Sequence, residues 1–191
     1  IAFDPGAEAL LVVGSQTAQV WNLGSGKRMG DPLIEGESVE GAAYSRNGAR
    51  VVTWGKSVRV WDAQSWQTVL PALEHVDPVR SACFSPDSER LLTATASGTT
   101  RLWDLDAPGM PVEASRHDGE HLRAAFSPNG KQFVTSNGDL LGGTGEVRRW
   151  LVESTEQVLP ALDHPSGVWN VAFSGDGKWL FTASGRLDNF G

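Results

Sequence analysis

A single cysteine, Cys83, stands in 191 residues. One thiol closes no internal disulfide, so the fold must hold by packing alone, which suits a reducing compartment and sets the expectation of a cytoplasmic protein. Long apolar runs are missing too. Stretches such as Leu10-Leu11-Val12-Val13 are strand-sized, far short of the roughly eighteen residues that a spanning helix needs, and no membrane segment is expected. Basic charge is scarce: 16 Lys and Arg stand against 23 Asp and Glu, for a net charge of −7. That average field repels phosphate backbones and anionic lipid, so neither nucleic acid nor a membrane is an expected partner. Helical periodicity is absent from every segment. What the chain does have is 40% hydrophobic residues and eight tryptophans, enough to bury a core and to exclude intrinsic disorder.

A short motif recurs in phase: Phe3-Asp4-Pro5-Gly6, Tyr44-Ser45-Arg46-Asn47-Gly48, Phe84-Ser85-Pro86-Asp87-Ser88, Phe126-Ser127-Pro128-Asn129-Gly130 and Phe173-Ser174-Gly175-Asp176-Gly177. Its steps are 41, 40, 42 and 47 residues. A second marker drifts with it, a tryptophan closing a strand-like segment at Trp21, Trp61, Trp103 and Trp150, with steps of 40, 42 and 47. Two markers sharing one late jump define a repeat, with approximate units 1–26, 27–66, 67–108, 109–154 and 155–191 of a single segment.

Within each unit, the aromatic is followed by Ser, Pro, Asp, Asn or Gly, residues that preset or tolerate turn dihedrals, so a hairpin reverses there. An apolar run follows (Val51-Val52-Thr53, Leu91-Leu92-Thr93, Phe133-Val134-Thr135), as expected of a strand covered on both faces. A third strand ends at the tryptophan. A fourth, carrying Val69-Leu70-Pro71-Ala72-Leu73 and again Val158-Leu159-Pro160-Ala161-Leu162, holds a proline, which belongs at a sheet edge where no ladder N–H is missed. Four short strands bury neither face alone and must stack on neighbouring copies.

Aromatic-Ser-Pro-Asp/Asn-Gly, an apolar strand, Arg-x-Trp-Asp, and a His nine residues before the next aromatic (His75, His117, His164) together resemble the WD-repeat β-propeller family. The style of Arg-Leu-Trp-Asp and Pro-Ala-Leu-Glu-His resembles its bacterial members, which often follow kinase or signalling NTPase domains. The resemblance implies an all-β propeller of four-stranded antiparallel blades. The chain supplies about four complete blades and a partial fifth, a fragment or open arc of a larger ring. It also implies a departure. The family's turn Asp, six residues before the Trp, is replaced by Ser15, Gly55, Ser97 and Thr144, and Glu35 stands where the first His would be. The usual polar network is therefore expected to be incomplete, with blades leaning on packing.

Candidate chemistry divides between structure and binding. Trp21, Trp61, Trp103, Trp150, His75, His117 and His164 recur in phase and are expected to be structural. Histidines lodged in separate blades do not gather as metal ligands, and neither metal nor cofactor is expected. Gly24-Ser25-Gly26-Lys27 lacks phosphate-loop spacing and reads as a connector, while Gly142-Gly143-Thr144-Gly145 reads as the tip of a longer hairpin in the fourth unit. Cys83 closes no Cys/His pair, and its strand position suggests an inert, buried thiol. By the family resemblance, the residue after the first-strand apolar position faces the narrow end of the channel: Glu40, Arg80, Leu122 and Trp169. Trp54, before the tight turn, tends to the same surface. Two tryptophans and an arginine are residue types enriched at binding hot spots. The competing reading is that Trp54 and Trp169 fill gaps beside Ala42, Ala43 and Ala172. The function expected is a non-catalytic scaffold for a protein or peptide, in a bacterial signalling or assembly setting. The alternatives are an array that self-associates through exposed blade edges, and a propeller enzyme or small-molecule sensor using the channel.

Overall fold

The computed structural model describes residues 1–34, 38–107, 109, 111–117, 123–138 and 143–185. The described residues form five antiparallel sheets and no helix. The first sheet runs β1 (Ala2–Phe3), β2 (Ala9–Val13), β3 (Thr17–Asn22) and β4 (Arg28–Ile34), in that spatial order. The second has β5 (Val39–Tyr44), β6 (Arg50–Gly55) and β7 (Val58–Asp62); its outer strand is reduced to isolated bridges, Val58 to Leu73 and Trp61 to Thr68. The third holds β8 (Val79–Phe84), β9 (Arg90–Thr95), β10 (Thr99–Asp104) and β11 (Val112–Arg116). The fourth holds β12 (Arg123–Phe126), β13 (Gln132–Gly138), β14 (Gly145–Leu151) and β15 (Leu162–His164). The fifth pairs β16 (Val168–Phe173) with β17 (Leu180–Ser184).

These sheets are propeller blades. The first strands lie against one another, β5 on β8, β8 on β12 and β12 on β16, and so form the inner ends. Proline-bearing segments sit on the outside, as the missing N–H requires. The strand that opens each sequence unit thus hydrogen-bonds onto the tryptophan strand of the unit before it.

Alternation along the second strand explains the stacking. Val51 packs back against Leu11, Ala18 and Val20 of the first blade, whereas its neighbour Val52 joins Leu91 and Trp103 of the third. Leu92 and Leu102 meet Phe133 in the same way, and Val134 and Val147 meet Val168 and Val171. A period of two puts adjacent residues on opposite faces, so one apolar run serves two interfaces. Each fully buried side chain of this kind contributes about 1.5–3 kcal/mol.

The hairpin after each aromatic is built the same way each time. Ser45, Ser85 and Ser127 accept a backbone N–H five residues on and hydrogen-bond the Asn or Asp two residues on. The residue after that is left-handed, at φ 72° for Gly48, 69° for Gly130 and 71° for Gly177; Ser88 and Ala7 take the same conformation at 65° and 54°. The Gly24-Ser25-Gly26-Lys27 connector is a turn closed by Asn22, whose side chain accepts from the Ser25 N–H. The longer hairpin of the fourth blade keeps its ladder out to Gly138 and Gly145, and residues 139–142 at its tip lie outside the described residues.

Candidate functional site

Three of the four inner-strand candidates occupy one structural position. The ladder of β5 with β6 slips between Val39 and Gly41, that of β8 with β9 between Val79 and Ser81, and that of β16 with β17 between Val168 and Asn170. The extra residue is Glu40, Arg80 or Trp169. A β-bulge leaves one residue out of the ladder and re-aims its side chain, so adjacent blades present these side chains at one end of their inner strands. Leu122 lies outside the described residues.

Two of the bulge residues are linked across blades. Arg80 Nη1 stands 2.5 Å from Glu40 Oε1 of the preceding blade. Arg123, at the start of β12, donates from Nη1 to the Arg80 carbonyl at 2.9 Å. Half-exposed ion pairs of this kind contribute at most about 1 kcal/mol; their effect is to fix direction rather than to stabilise. Arg123 was not singled out by the repeat pattern, although its place directly after Leu122 is the signal that could have found it. Beside Glu40 opens a cavity of about 580 Å³ between the second and third blades, lined by Ser38, Lys56, Glu74, His75 and Asp77 among others. Val76 projects from its rim, 91% exposed.

The two tryptophans differ in setting. Trp169 is half-buried, and its indole N–H donates to the Gly185 carbonyl at 2.9 Å. Trp54 pairs with Gly41 across β5 and β6 and packs on the core between the second and third blades. A Cβ at Gly41 would lie 2.2 Å from Trp54 Cζ2, so the ring occupies the space the glycine leaves. In the same phase the other blades carry Val13, Ala94, Ser136 and Ala183. Gly41 makes room for the ring, and Ala43 packs on the same core cluster.

The repeat histidines and tryptophans form the network that the missing turn Asp was expected to interrupt. Trp103 Nε1 donates to Thr93 Oγ1 at 2.9 Å, and His75 Nε2 lies 2.8 Å from the same hydroxyl. His75 Nδ1 sits 2.9 Å from the Leu73 carbonyl. A carbonyl only accepts, so Nδ1 carries the proton, Nε2 accepts from Thr93, and Thr93 accepts from the indole. The next blade repeats this through Trp150, Thr135 and His117, and there Glu146 Oε1 meets His117 Nδ1 at 3.0 Å. The expectation of an incomplete network is corrected for these two blades: a backbone carbonyl or Glu146 takes the partner role of the absent Asp. Trp61 donates to Thr53 at 2.9 Å, and Glu35 lies outside the described residues. Trp21 instead carries Arg28 over its ring at 5.3 Å. Burial of the ring holds His75 below the usual histidine range, against the pull of the Leu73 carbonyl.

Among the described residues no activated nucleophile stands out. Burial pushes the Cys83 thiol up to about 12, which keeps it protonated and unreactive. The Asp176 carboxyl is held below the usual range by the Ser174 hydroxyl and the Lys178 N–H, as a turn residue. Among the described residues no three His, Cys, Asp or Glu side chains gather to hold a metal ion.

Residues 67–104 and 156–189 match the family of the WD domain, G-beta repeat. These two stretches are similar to WD repeats. The first matched stretch runs from the outer strand of one blade to the Trp-Asp that closes the next, which is the phase of the network above. Relatives include Periodic tryptophan protein 2 of Arabidopsis thaliana, 34% identical over 100 residues, covering 52% of this chain and 10% of that protein. Apoptotic protease-activating factor 1 of Homo sapiens is 27% identical over 188 residues, 92% of this chain and 14% of the relative. The chain thus spans a small part of these relatives. Among solved structures, Kuenenia stuttgartiensis hydrazine synthase superposes with a TM-score of 0.79 at 18% identity, over 94% of this chain and 53% of that one, a likeness of fold alone.

Proposed function

We propose that this WD-repeat segment is a non-catalytic scaffold that docks a protein or peptide on the end of the blades where Glu40, Arg80 and Trp169 project. The observation that carries the reading is their shared bulge: three different residue types, two charged and one aromatic, at the single inner-strand position freed from ladder pairing. Bulges of this kind re-aim side chains next to functional sites, and Trp and Arg are the residues that dominate binding energy when a partner covers them. Leu122 belongs to the same set by phase. Trp54 supports the surface from beneath, over Gly41. The net charge of −7 favours a protein partner over nucleic acid. The repeat style and the single thiol support a cytoplasmic bacterial signalling or assembly protein as the setting.

Proteins retained by the immobilised chain from an extract of its own cells are compared with those retained by Arg80→Glu and Trp169→Ala. A partner lost by both variants, with circular dichroism unchanged, supports the reading. Retention of the same set by both overturns it.

A further inference from the structure

Trp66 stands where the repeat has no need of an aromatic. In the first, second and fourth blades the strand carrying the marker tryptophan runs into a five-residue turn, whose last N–H donates to the carbonyl of its first residue: Gly26 to Asn22, Trp66 to Asp62 and Thr155 to Leu151. All three closing residues are left-handed, at φ 64°, 58° and 55°. Glycine suits that backbone, whereas a bulky side chain is a genuine outlier there. Such outliers persist where the surroundings hold them, and they gather at binding sites. Here the first blade holds the indole. Gly30 on β4 is itself left-handed at φ 68°, and a Cβ on it would lie 2.4 Å from Trp66 Cδ1, so the absent side chain is what lets the ring lie against that strand.

The ring walls an open hollow of about 430 Å³ between the first and second blades, with Met29, Asn47, Ala49, Asp62 and Ala63 among its other lining residues. Asp62 pairs with Arg50 across β7 and β6, which puts the hollow beside the Ser45 hairpin, at the end of the blades opposite the bulges. The turns that border it all fall within the described residues. Among those residues Asp62 supplies the one formal charge of the lining. Its Oδ1 accepts from the Gln64 N–H, the Ser65 N–H and the Ser65 hydroxyl at 3.1, 2.7 and 2.8 Å, while Oδ2 takes none of these bonds. The Ser65 N–H, then its hydroxyl, hold the carboxyl below its usual range, so it stays ionised at neutral pH. An indole face beside a carboxylate attracts a flat cation. The first blade makes the indole contact within the chain: Arg28, across the ladder from Trp21, lies over its ring at 5.3 Å.

We infer that the Trp66 hollow is a second docking site, which takes an arginine side chain from a partner protein. The guanidinium plane lies on the indole, and its N–H fork meets Asp62 Oδ2. Lysine is the poorer occupant, because its compact ammonium neither covers the ring nor offers a planar fork. The net charge of −7 favours the approach of a basic segment.

The probe is the acetylated and amidated pentapeptide Gly-Ser-Arg-Ser-Gly, titrated into the chain and followed by the Trp66 indole N–H resonance. A saturable shift is expected. Replacing the arginine by citrulline keeps its shape and removes its charge, and should weaken binding about fivefold or more. Two variants have counterparts in the first blade: Asn22 accepts the same two bonds from Ser25, and Gly26 fills the left-handed slot. Asp62→Asn should therefore leave the unfolding midpoint unchanged while weakening binding about two- to fivefold. Trp66→Gly should abolish the shift that the peptide causes at the Ser65 N–H. Absence of a saturable shift, equal affinity for the citrulline or lysine peptide, or full affinity in Asp62→Asn overturns the inference.

Discussion

Thr93→Val is the most informative single change, because it keeps shape and removes one oxygen. Thr93 is fully buried, and its hydroxyl both accepts from Trp103 Nε1 and serves His75 Nε2. Valine leaves the buried indole N–H and the part-buried imidazole nitrogen without their shared partner. Each orphaned group costs about 1–3 kcal/mol, and the gain in strand propensity returns less than about 1 kcal/mol. The net loss expected is about 2–4 kcal/mol, read as a lower urea midpoint at unchanged slope. Trp103→Phe removes the N–H that valine would orphan. The double variant should therefore lose less than the sum of the singles, by about 1 kcal/mol or more. A Thr93→Val protein as stable as the parent, or strict additivity, would show that the His–Thr–Trp bonds are incidental to blade packing.

Three further outcomes follow from the same structure. Because burial holds His75 below the usual histidine range, the unfolded chain takes up its proton first as pH falls. The His75 contribution is present above about pH 6.5, the unfolded value, and is lost as pH drops through the lower folded value; the stability difference between pH 7.5 and pH 5 should be smaller in His75→Gln. Gly41→Ala drives a methyl into Trp54, with 2.2 Å to Cζ2, and should destabilise by about 1–3 kcal/mol; adding Trp54→Ala should recover part of that loss, and no recovery would place the strain elsewhere. Gly130→Ala meets only ordinary contact with Pro86 at 3.6 Å but sits at φ 69°, so the loss should be about 1 kcal/mol from backbone strain alone, measured by thermal unfolding.

The repeat was legible because its markers are chemically dear. Only turn formers suit the residues after Phe84 or Phe126, and only a large aromatic fills the seam at Trp103. The bulge at Glu40, Arg80 and Trp169 was legible only through family resemblance: a bulge is set by how two strands register, and no residue type announces it. The polar network was misjudged for a similar reason. Absence of the turn Asp is plain in the sequence, yet the Leu73 carbonyl and Glu146 replace it through space. Trp54 illustrates the reverse case, since its partner Gly41 is invisible as a packing residue until the two strands are paired.

Because the strand opening each sequence period is bonded to the sheet of the period before, no period is a self-sufficient part. Cutting the chain between periods strips one blade of its outer staple and leaves the next with a loose overhang. Strands are gained or lost only in whole steps that leave this overlap intact, as with shingles added or removed along the full course, whereas extra residues fit at a hairpin tip, as in the fourth unit.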